Sequence, residues 1–260
     1  KTVSIGYGHL TKTDEATGAV LPNAVFGIYS DSACNNLVSK FTTGADGTVK
    51  SQELVAGTYY VKEITAPKGY VLSKDVHTMV VRAGQTTYLN VVDKEQEGAL
   101  SIFKEGEVLT KWDGNNFVYE MRNLPGATFK VTAGADIYRA DGTKVHSEGD
   151  VIAEQLTTGT DGHVYLGNLH LGTYVVTETS SIDGYTINTT PQVVKIEYEN
   201  QNISVQVEAA TIRNARQKAE VVVTKKDSDT ENPLVGGQYT LYATDDIVNY
   251  AGEIIVSKGK

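Results

Sequence analysis

Gly57-Thr58-Tyr59-Tyr60-Val61-Lys62-Glu63-Ile64-Thr65-Ala66-Pro67-Lys68-Gly69-Tyr70 returns later in the chain as Gly172-Thr173-Tyr174-Val175-Val176-Thr177-Glu178, followed by Asp183-Gly184-Tyr185. Both copies hold Tyr-x-Val-x-Glu, a pattern of period two. On a strand it puts Tyr59, Val61 and Glu63 on one face, and likewise Tyr174, Val176 and Glu178. If those faces are buried, each glutamate enters a core, where a carboxyl group is costly unless another group answers it.

Upstream of the first copy, Gly8 to Asp14 reads as a strand closed by the turn residues Glu15 to Gly18, with Lys12 continuing the apolar face of Leu10. A second strand is expected over Leu21 to Tyr29, then a hairpin tip at Ser30 to Asn36 that carries Cys34. Asp46-Gly47 is a turn of the kind that closes hairpins. Downstream, Tyr88 to Asp93 closes the unit, and Asp93 continues the face of Leu89 and Val91.

From Gly98 the same order begins again, and this internal repeat decides the architecture. Leu100, Ile102 and Lys104 alternate on one face. After an excursion from Val108 to Asn123 that holds the lone Trp112, Leu124 to Phe129 repeats the second strand and Asp161-Gly162 repeats the turn. The stretch from Gly149 to Leu156 fits a strand better than a helix, because it stands just ahead of that turn. Ala210, Ile212 and Asn214 share the closing face. A third opening starts at Glu220: Val221, Val223 and Lys225 alternate, and Leu234 to Tyr239 echoes the second strand, but no glutamate stretch follows. The expectation is an all-β chain of tandem sandwiches, with units at 1–97 and 98–217 and the incomplete start of a third at 218–260, within a longer natural polypeptide.

The 260 residues carry a net charge of −9 and no basic cluster, which argues against nucleic acid and anionic membrane surfaces as partners. No apolar run approaches a membrane span and no signal peptide opens the sequence, so it reads as a cytosolic protein or as a mature or excised segment. The single cysteine excludes an internal disulfide framework, and Cys34, with no cation beside it, reads as a tolerated small residue rather than a reactive thiol. The five histidines lack metal-ligand spacing, and there is no Gly-x-Ser-x-Gly elbow or phosphate-binding loop. Asp227-Ser228-Asp229 lacks the glycine that a calcium loop needs at its sixth position, and reads as a solvated turn. A turnover enzyme, a metal and a cofactor are therefore not expected.

What remains is a polar triplet on otherwise apolar faces: Lys12, Glu63 and Asp93 in the first unit, Lys104, Glu178 and Asn214 in the second. Desolvation disfavours the charged form of both amine and acid. A neutral lysine is a nucleophile, and the side-chain carbonyl carbon of Asn or Asp is an electrophile. A glutamate bonded to both could polarise the carbonyl and shuttle the proton, releasing ammonia from Asn214 or water from Asp93. An unreacted buried ion cluster is the plainer reading; recurrence of the triplet in the same order and parity favours the reactive one.

Lys12-x-Asp14, Leu21-Pro22-x-Ala24-x-Phe26, the Asp46-Gly47 turn, Glu63-x-x-Ala66-Pro67-x-Gly69-Tyr70 and Val91-x-Asp93 together resemble the CnaB-type domain, the prealbumin-like, inverse immunoglobulin-like sandwich of Gram-positive pilins and cell-wall adhesins. The second copy departs from the motif, with Ser180-Ser181-Ile182-Asp183 where Ala-Pro would stand. The resemblance implies a spontaneous isopeptide bond in each complete unit, Lys12 to Asp93 with Glu63 catalysing and Lys104 to Asn214 with Glu178 catalysing. Lys225 would be a third donor without its partner. It further implies an extracellular stalk segment at the cell surface or cell wall, with neighbouring domains, other pilin subunits or a host surface ligand as partners. Two rivals stand beside the stalk. One is a ligand-binding adhesin module using Trp112, Phe117 and Tyr119; the other is a polymerising pilin backbone, for which neither a Leu-Pro-x-Thr-Gly signal nor a Tyr-Pro-Lys-Asn motif is present.

Overall fold

The computed structural model describes residues 3–260, and among them there is no helix. In chain order the first sandwich uses β1 (Ile5–Asp14), β2 (Val25–Tyr29), β3 (Leu37–Thr42), β4 (Thr48–Lys50), β5 (Leu54–Val55), β6 (Gly57–Thr65), β7 (Val76–Val81) and β8 (Thr86–Asp93). The second uses β9 (Glu97–Trp112), β10 (Phe117–Asn123), β11 (Thr128–Ala133), β12 (Ile137–Tyr138), β13 (Lys144–His146), β14 (Val151–Thr157), β15 (His163–Leu169), β16 (Gly172–Ser180), β17 (Gln192–Ile196) and β18 (Val205–Asn214). A short hairpin of β19 (Ile247–Val248) and β20 (Ile254–Val256) follows.

Each sandwich packs one sheet built on its first strand against a sheet of the order β3-β2-β6-β7, repeated as β14-β11-β16-β17. In the first sheet β1 lies between β4 and β5 on one side and β8 on the other; in the second unit β9 pairs β10, β15 and β18. The last strand runs parallel to the first in both units, β8 beside β1 and β18 beside β9. Alternation along most of these strands fills the interior. Leu10, Phe26, Ile28, Val61, Met79 and Val91 pack one core, and Leu100, Ile102, Phe129, Val131, Val176 and Ile212 are among those packing the other.

Both Asp-Gly turns form, but they do not close hairpins. β3 pairs β2 while β4 pairs β1, so the turn at Asp46-Gly47 carries the chain from one sheet to the other, and Asp161-Gly162 does the same between β14 and β15. Gly47 and Gly162 adopt φ of 71° and 70°, and their carbonyls accept the backbone N–H of Lys12 at 2.8 Å and of Lys104 at 2.9 Å. A Cβ on Gly162 would stand 2.6 Å from Asn123 Cβ, which explains why the turn needs glycine twice over.

The excursion from Val108 to Asn123 is not a loop. β9 runs on for 16 residues and β10 returns along it, since alternation continues through Val108 and Thr110 and only Asp113 to Asn116 turn the chain. Cys34 lies at the hairpin tip between β2 and β3, as expected, with φ of 55°. Residues 221–225 form no strand: Val221, Val222 and Val223 are exposed, and no strand among the described residues pairs with them. The turn chemistry of that opening nevertheless repeats. Leu234 N–H donates to Lys225 O at 2.9 Å, as Leu21 does to Lys12 and Leu124 to Lys104.

The two sandwiches touch through the short link after β8. Gln96 is fully buried, and its side-chain amide donates to the carbonyls of Asn200 and Ile203. Gln201 bonds Ala66 N at 2.9 Å and Ile64 O at 3.3 Å, and Glu95 holds Arg139, His170 and the N–H of Ala140.

Candidate functional site

The parallel register sets Lys12 opposite Val91 and Asp14 opposite Asp93; in the second unit Lys104 faces Ile212 and Gly106 faces Asn214. Each lysine is therefore two residues short of its acceptor along the neighbouring strand, on the same inward face. Glu63 and Glu178 come from the opposite sheet, paired with Phe26 and Phe129 respectively. The expected residues converge in both units.

In the first unit the Lys12 ammonium contacts Asp93 Oδ1 directly and lies 3.2 Å from Glu63 Oε1, too poorly aligned with the latter for a hydrogen bond. In the second, Lys104 Nζ donates to Glu178 Oε2 at 3.1 Å, and Asn214 Nδ2 donates to Glu178 Oε1 at 2.8 Å. Glu178 thus bridges donor and acceptor. All six side chains are at most 5% exposed.

Burial dominates the electrostatics. It pushes the Asp93 carboxyl up to about 7, against the pull of Lys12 and with a smaller push from Glu63. Burial also lowers the Lys104 amine, with the Glu178 carboxylate opposing. The second carboxyl oxygen of Asp93, Oδ2, and the amide oxygen of Asn214, Oδ1, have no hydrogen-bond partner among the described residues. A buried orphan of this kind costs about 1–3 kcal/mol, so neither cluster is optimised as a resting polar network.

Several contacts were not legible from the motif. The backbone N–H of Ser73 donates to Glu63 Oε2 at 3.0 Å and that of Asn188 donates to Glu178 Oε2 at 2.9 Å, each ten residues past the glutamate. Such bonds fix the carboxylate's orientation without any side-chain signature. Buried Asp14, two past Lys12, is held by the N–H groups of Ala16 and Thr17 and by the Tyr70 hydroxyl at 2.9 Å. It is a structural pin: its counterpart is Gly106, and Tyr185 bonds the Glu107 carbonyl instead. Ser181 Oγ stands 2.7 Å from Asn214 Nδ2, in the loop where the second copy departs from the first.

Lys225 is exposed and joins no such cluster. Asp227 caps its own turn, accepting from the N–H of Asp229 and Thr230, which agrees with a solvated turn rather than a cation loop. Trp112 and Phe117 pack at 4.9 Å at the end of the β9–β10 hairpin and line a cleft of about 560 Å³ with Leu241, Tyr242 and Ile247, while Tyr119 lies under Arg216 at 3.6 Å.

The sequence profile of the SpaA prealbumin-like fold domain matches residues 6–95 and 109–211. The trypsin-resistant surface T6 protein of Streptococcus pyogenes is 36% identical over 66 residues, 25% of this chain and 12% of that protein. Among solved structures, the Bacillus anthracis TIE protein is similar with a TM-score of 0.55 and 27% identity, over 82% of this chain and 34% of that one. GBS52, a minor pilin of Streptococcus agalactiae, aligns with a TM-score of 0.35 and 19% identity over 85% of this chain and 100% of its own. The chain therefore spans a small part of the T6 protein and about a third of the TIE protein chain.

Proposed function

This chain belongs to the SpaA prealbumin-like fold domain family, and from that premise we propose that it is a structural stalk or shaft segment of a Gram-positive surface adhesin or pilin, in which each complete sandwich locks itself with an isopeptide bond. The units are taken as 1–97 and 98–217, with 218–260 opening a third. The division is supported by sheets that do not cross from β8 to β9.

One observation carries the reading: the same buried lysine, glutamate and Asx acceptor meet in both sandwiches, with donor and acceptor on neighbouring parallel strands. In the second unit, Lys104 Nζ adds to Asn214 Cγ, the Cγ–Nδ2 bond breaks, and Nδ2 leaves as ammonia with a proton passed from the amine by Glu178. In the first unit the neutral Lys12 amine adds to protonated Asp93, and the hydroxyl leaves as water with the amine proton. Each event happens once per chain, so the protein is not a turnover enzyme.

The mechanical consequence follows from the topology. Tension entering at the start of β1 passes to Lys12, crosses to Asp93 and leaves through the link to β9, so the 81-residue span between them is bypassed. Closing a loop of that length contributes about 4 to 5 kcal/mol if the chain-entropy account of disulfides transfers, and an amide cannot be reduced. The location is extracellular, with neighbouring domains and further subunits of a surface assembly as partners.

The test is the intact mass of the denatured chain. Two closed bonds lower it by about 35 Da, about 17 from ammonia and about 18 from water; an unchanged mass overturns the self-locking mechanism. A second reading, attachment to a host ligand through the second unit, has the partly exposed Trp112 and Phe117 in its favour. Substituting both and finding host attachment unchanged removes it.

A further inference from the structure

The second cluster holds a group with no counterpart in the first. Asn214 Nδ2 lies 2.8 Å from Glu178 Oε1 and 2.7 Å from Ser181 Oγ, so one end of the reacting amide is held by two polar side chains while its other end, Oδ1, has none. Ser181 stands three residues past Glu178; the residue three past Glu63 is Ala66. The unit with an amide acceptor has the hydroxyl, and the unit with an acid acceptor lacks it.

We propose that Ser181 is a positioning residue for closure of the Lys104–Asn214 bond, supplying to the amide acceptor a contact that the acid acceptor of the first unit does not require. The inference rests on the self-locking mechanism proposed above. A primary amide is a poorer electrophile than a protonated carboxyl group, and Asp93, raised by burial, reaches the protonated form near neutral pH on its own. Asn214 has no such route.

Ser181 serves in either orientation of the planar amide, whose nitrogen and oxygen are exchanged by a half-turn about Cβ–Cγ. With the nitrogen toward the loop, Ser181 and Glu178 both accept its hydrogens, fixing the plane that Lys104 must approach. With the oxygen there, the Ser181 hydroxyl donates to the atom on which negative charge develops as Nζ adds, and Glu178 faces the same atom as it takes up the amine proton. The atoms balance as before: Nζ–Cγ forms, Cγ–Nδ2 breaks, and the amine proton leaves with ammonia. Ser181 exchanges no proton.

The full chain is synthesised, held in denaturant before closure, refolded, and quenched at intervals for intact mass and peptide mapping. Ser181→Ala, Ser181→Val and Ser181→Thr are compared with the unsubstituted chain, and the loss of water from the first unit serves as an internal clock. The 17 Da loss should slow by about tenfold or more in the Ala and Val variants, and Thr, which restores the hydroxyl on the shape of Val, should recover most of the rate, with the clock unchanged throughout. Equal rates in Thr and Val overturn the proposal, since those side chains fill the same space, and so does a Ser181→Ala rate equal to that of the unsubstituted chain. If the unsubstituted chain never loses 17 Da, the mechanism beneath the proposal fails instead.

Discussion

Lys12 touches Asp93 directly, whereas Lys104 reaches Asn214 only through Glu178. The difference follows from the acceptor: a carboxyl attracts the ammonium, while a neutral amide leaves the glutamate as the sole counter-charge. The two clusters share strands, register and burial, yet they start from different electrostatic states.

Because the cores are separate, the two closures are expected to be independent. Glu63→Ala should abolish only the loss of about 18 Da and Glu178→Ala only the loss of about 17 Da. Each variant should unfold with about 4 to 5 kcal/mol less stability in the affected unit, before any cost of the newly unpaired lysine is added. Mass and denaturant melts together check this; loss of both bonds in either single variant would contradict it.

Asp93→Asn makes the first acceptor match the second. The expected loss from the first unit then changes from about 18 to about 17 Da, and peptide mapping should still find Lys12 joined to residue 93. With Ala66 rather than Ser181 at the supporting position, closure should be slower than in the second unit. A first unit that stays open would show that the acid itself, and not the geometry around it, permits closure there.

The closures should also separate by pH. Asp93, raised to about 7, is protonated below that value and becomes a carboxylate above it; the carboxylate resists attack. Lys104 is lowered, so its neutral form gains population as pH rises, and Asn214 has no proton to lose. The rate ratio of first to second closure should therefore fall as pH rises through about 7. Timed mass spectra from pH 5.5 to 8.5 read it, taking about 7 as the turning point; a ratio that rises with pH contradicts the assignment.

Most of this arrangement is visible in the sequence because strands have period two. Lys12 after Leu10, Asp93 after Val91 and Glu63 after Val61 each place a polar group on a face whose neighbours define it as inward. Sheet membership is not legible in the same way. An Asp-Gly pair signals a tight reversal but not whether the flanking strands pair, so the jump from β3 to β4 between sheets read as a hairpin. Nor does parity announce the backbone donors at Ser73 and Asn188, since every residue but proline has an N–H. Alternation in Val221 to Lys225 is real, but a strand needs a partner, and among the described residues that stretch pairs with none.

Gly162 couples the turn to Lys104. Its carbonyl accepts Lys104 N–H, its φ is 70°, and a Cβ would lie 2.7 Å from Leu124 N. Gly162→Ala should destabilise the second unit by about 2 kcal/mol or more, the positive φ alone costing about 1 to 2. Measured in a Glu178→Ala background, where no bond masks the effect, a change below about 0.5 kcal/mol would mean the turn relaxes freely.

Glu95 organises the contact between the sandwiches. One carboxylate oxygen accepts from Ala140 N at 2.9 Å and lies 3.2 Å from His170 Nδ1, and the other lies 3.3 Å from Arg139. Its side chain is only 11% exposed, so these are not the screened pairs of an open surface. Glu95→Ala removes the acceptor and leaves a part-buried guanidinium whose Nε already lacks a partner. A loss of about 2 kcal/mol is expected at the contact, while both isopeptide closures proceed as before because each core is intact. Small-angle scattering should then show a broader distribution of angles between the units. For the proposed stalk the distinction matters: closed bonds would protect each sandwich against extension, whereas contacts such as Glu95 resist bending between them. A variant as rigid as the parent would shift that role to Gln96 and Gln201, whose amides bond the facing unit on the other side of the link.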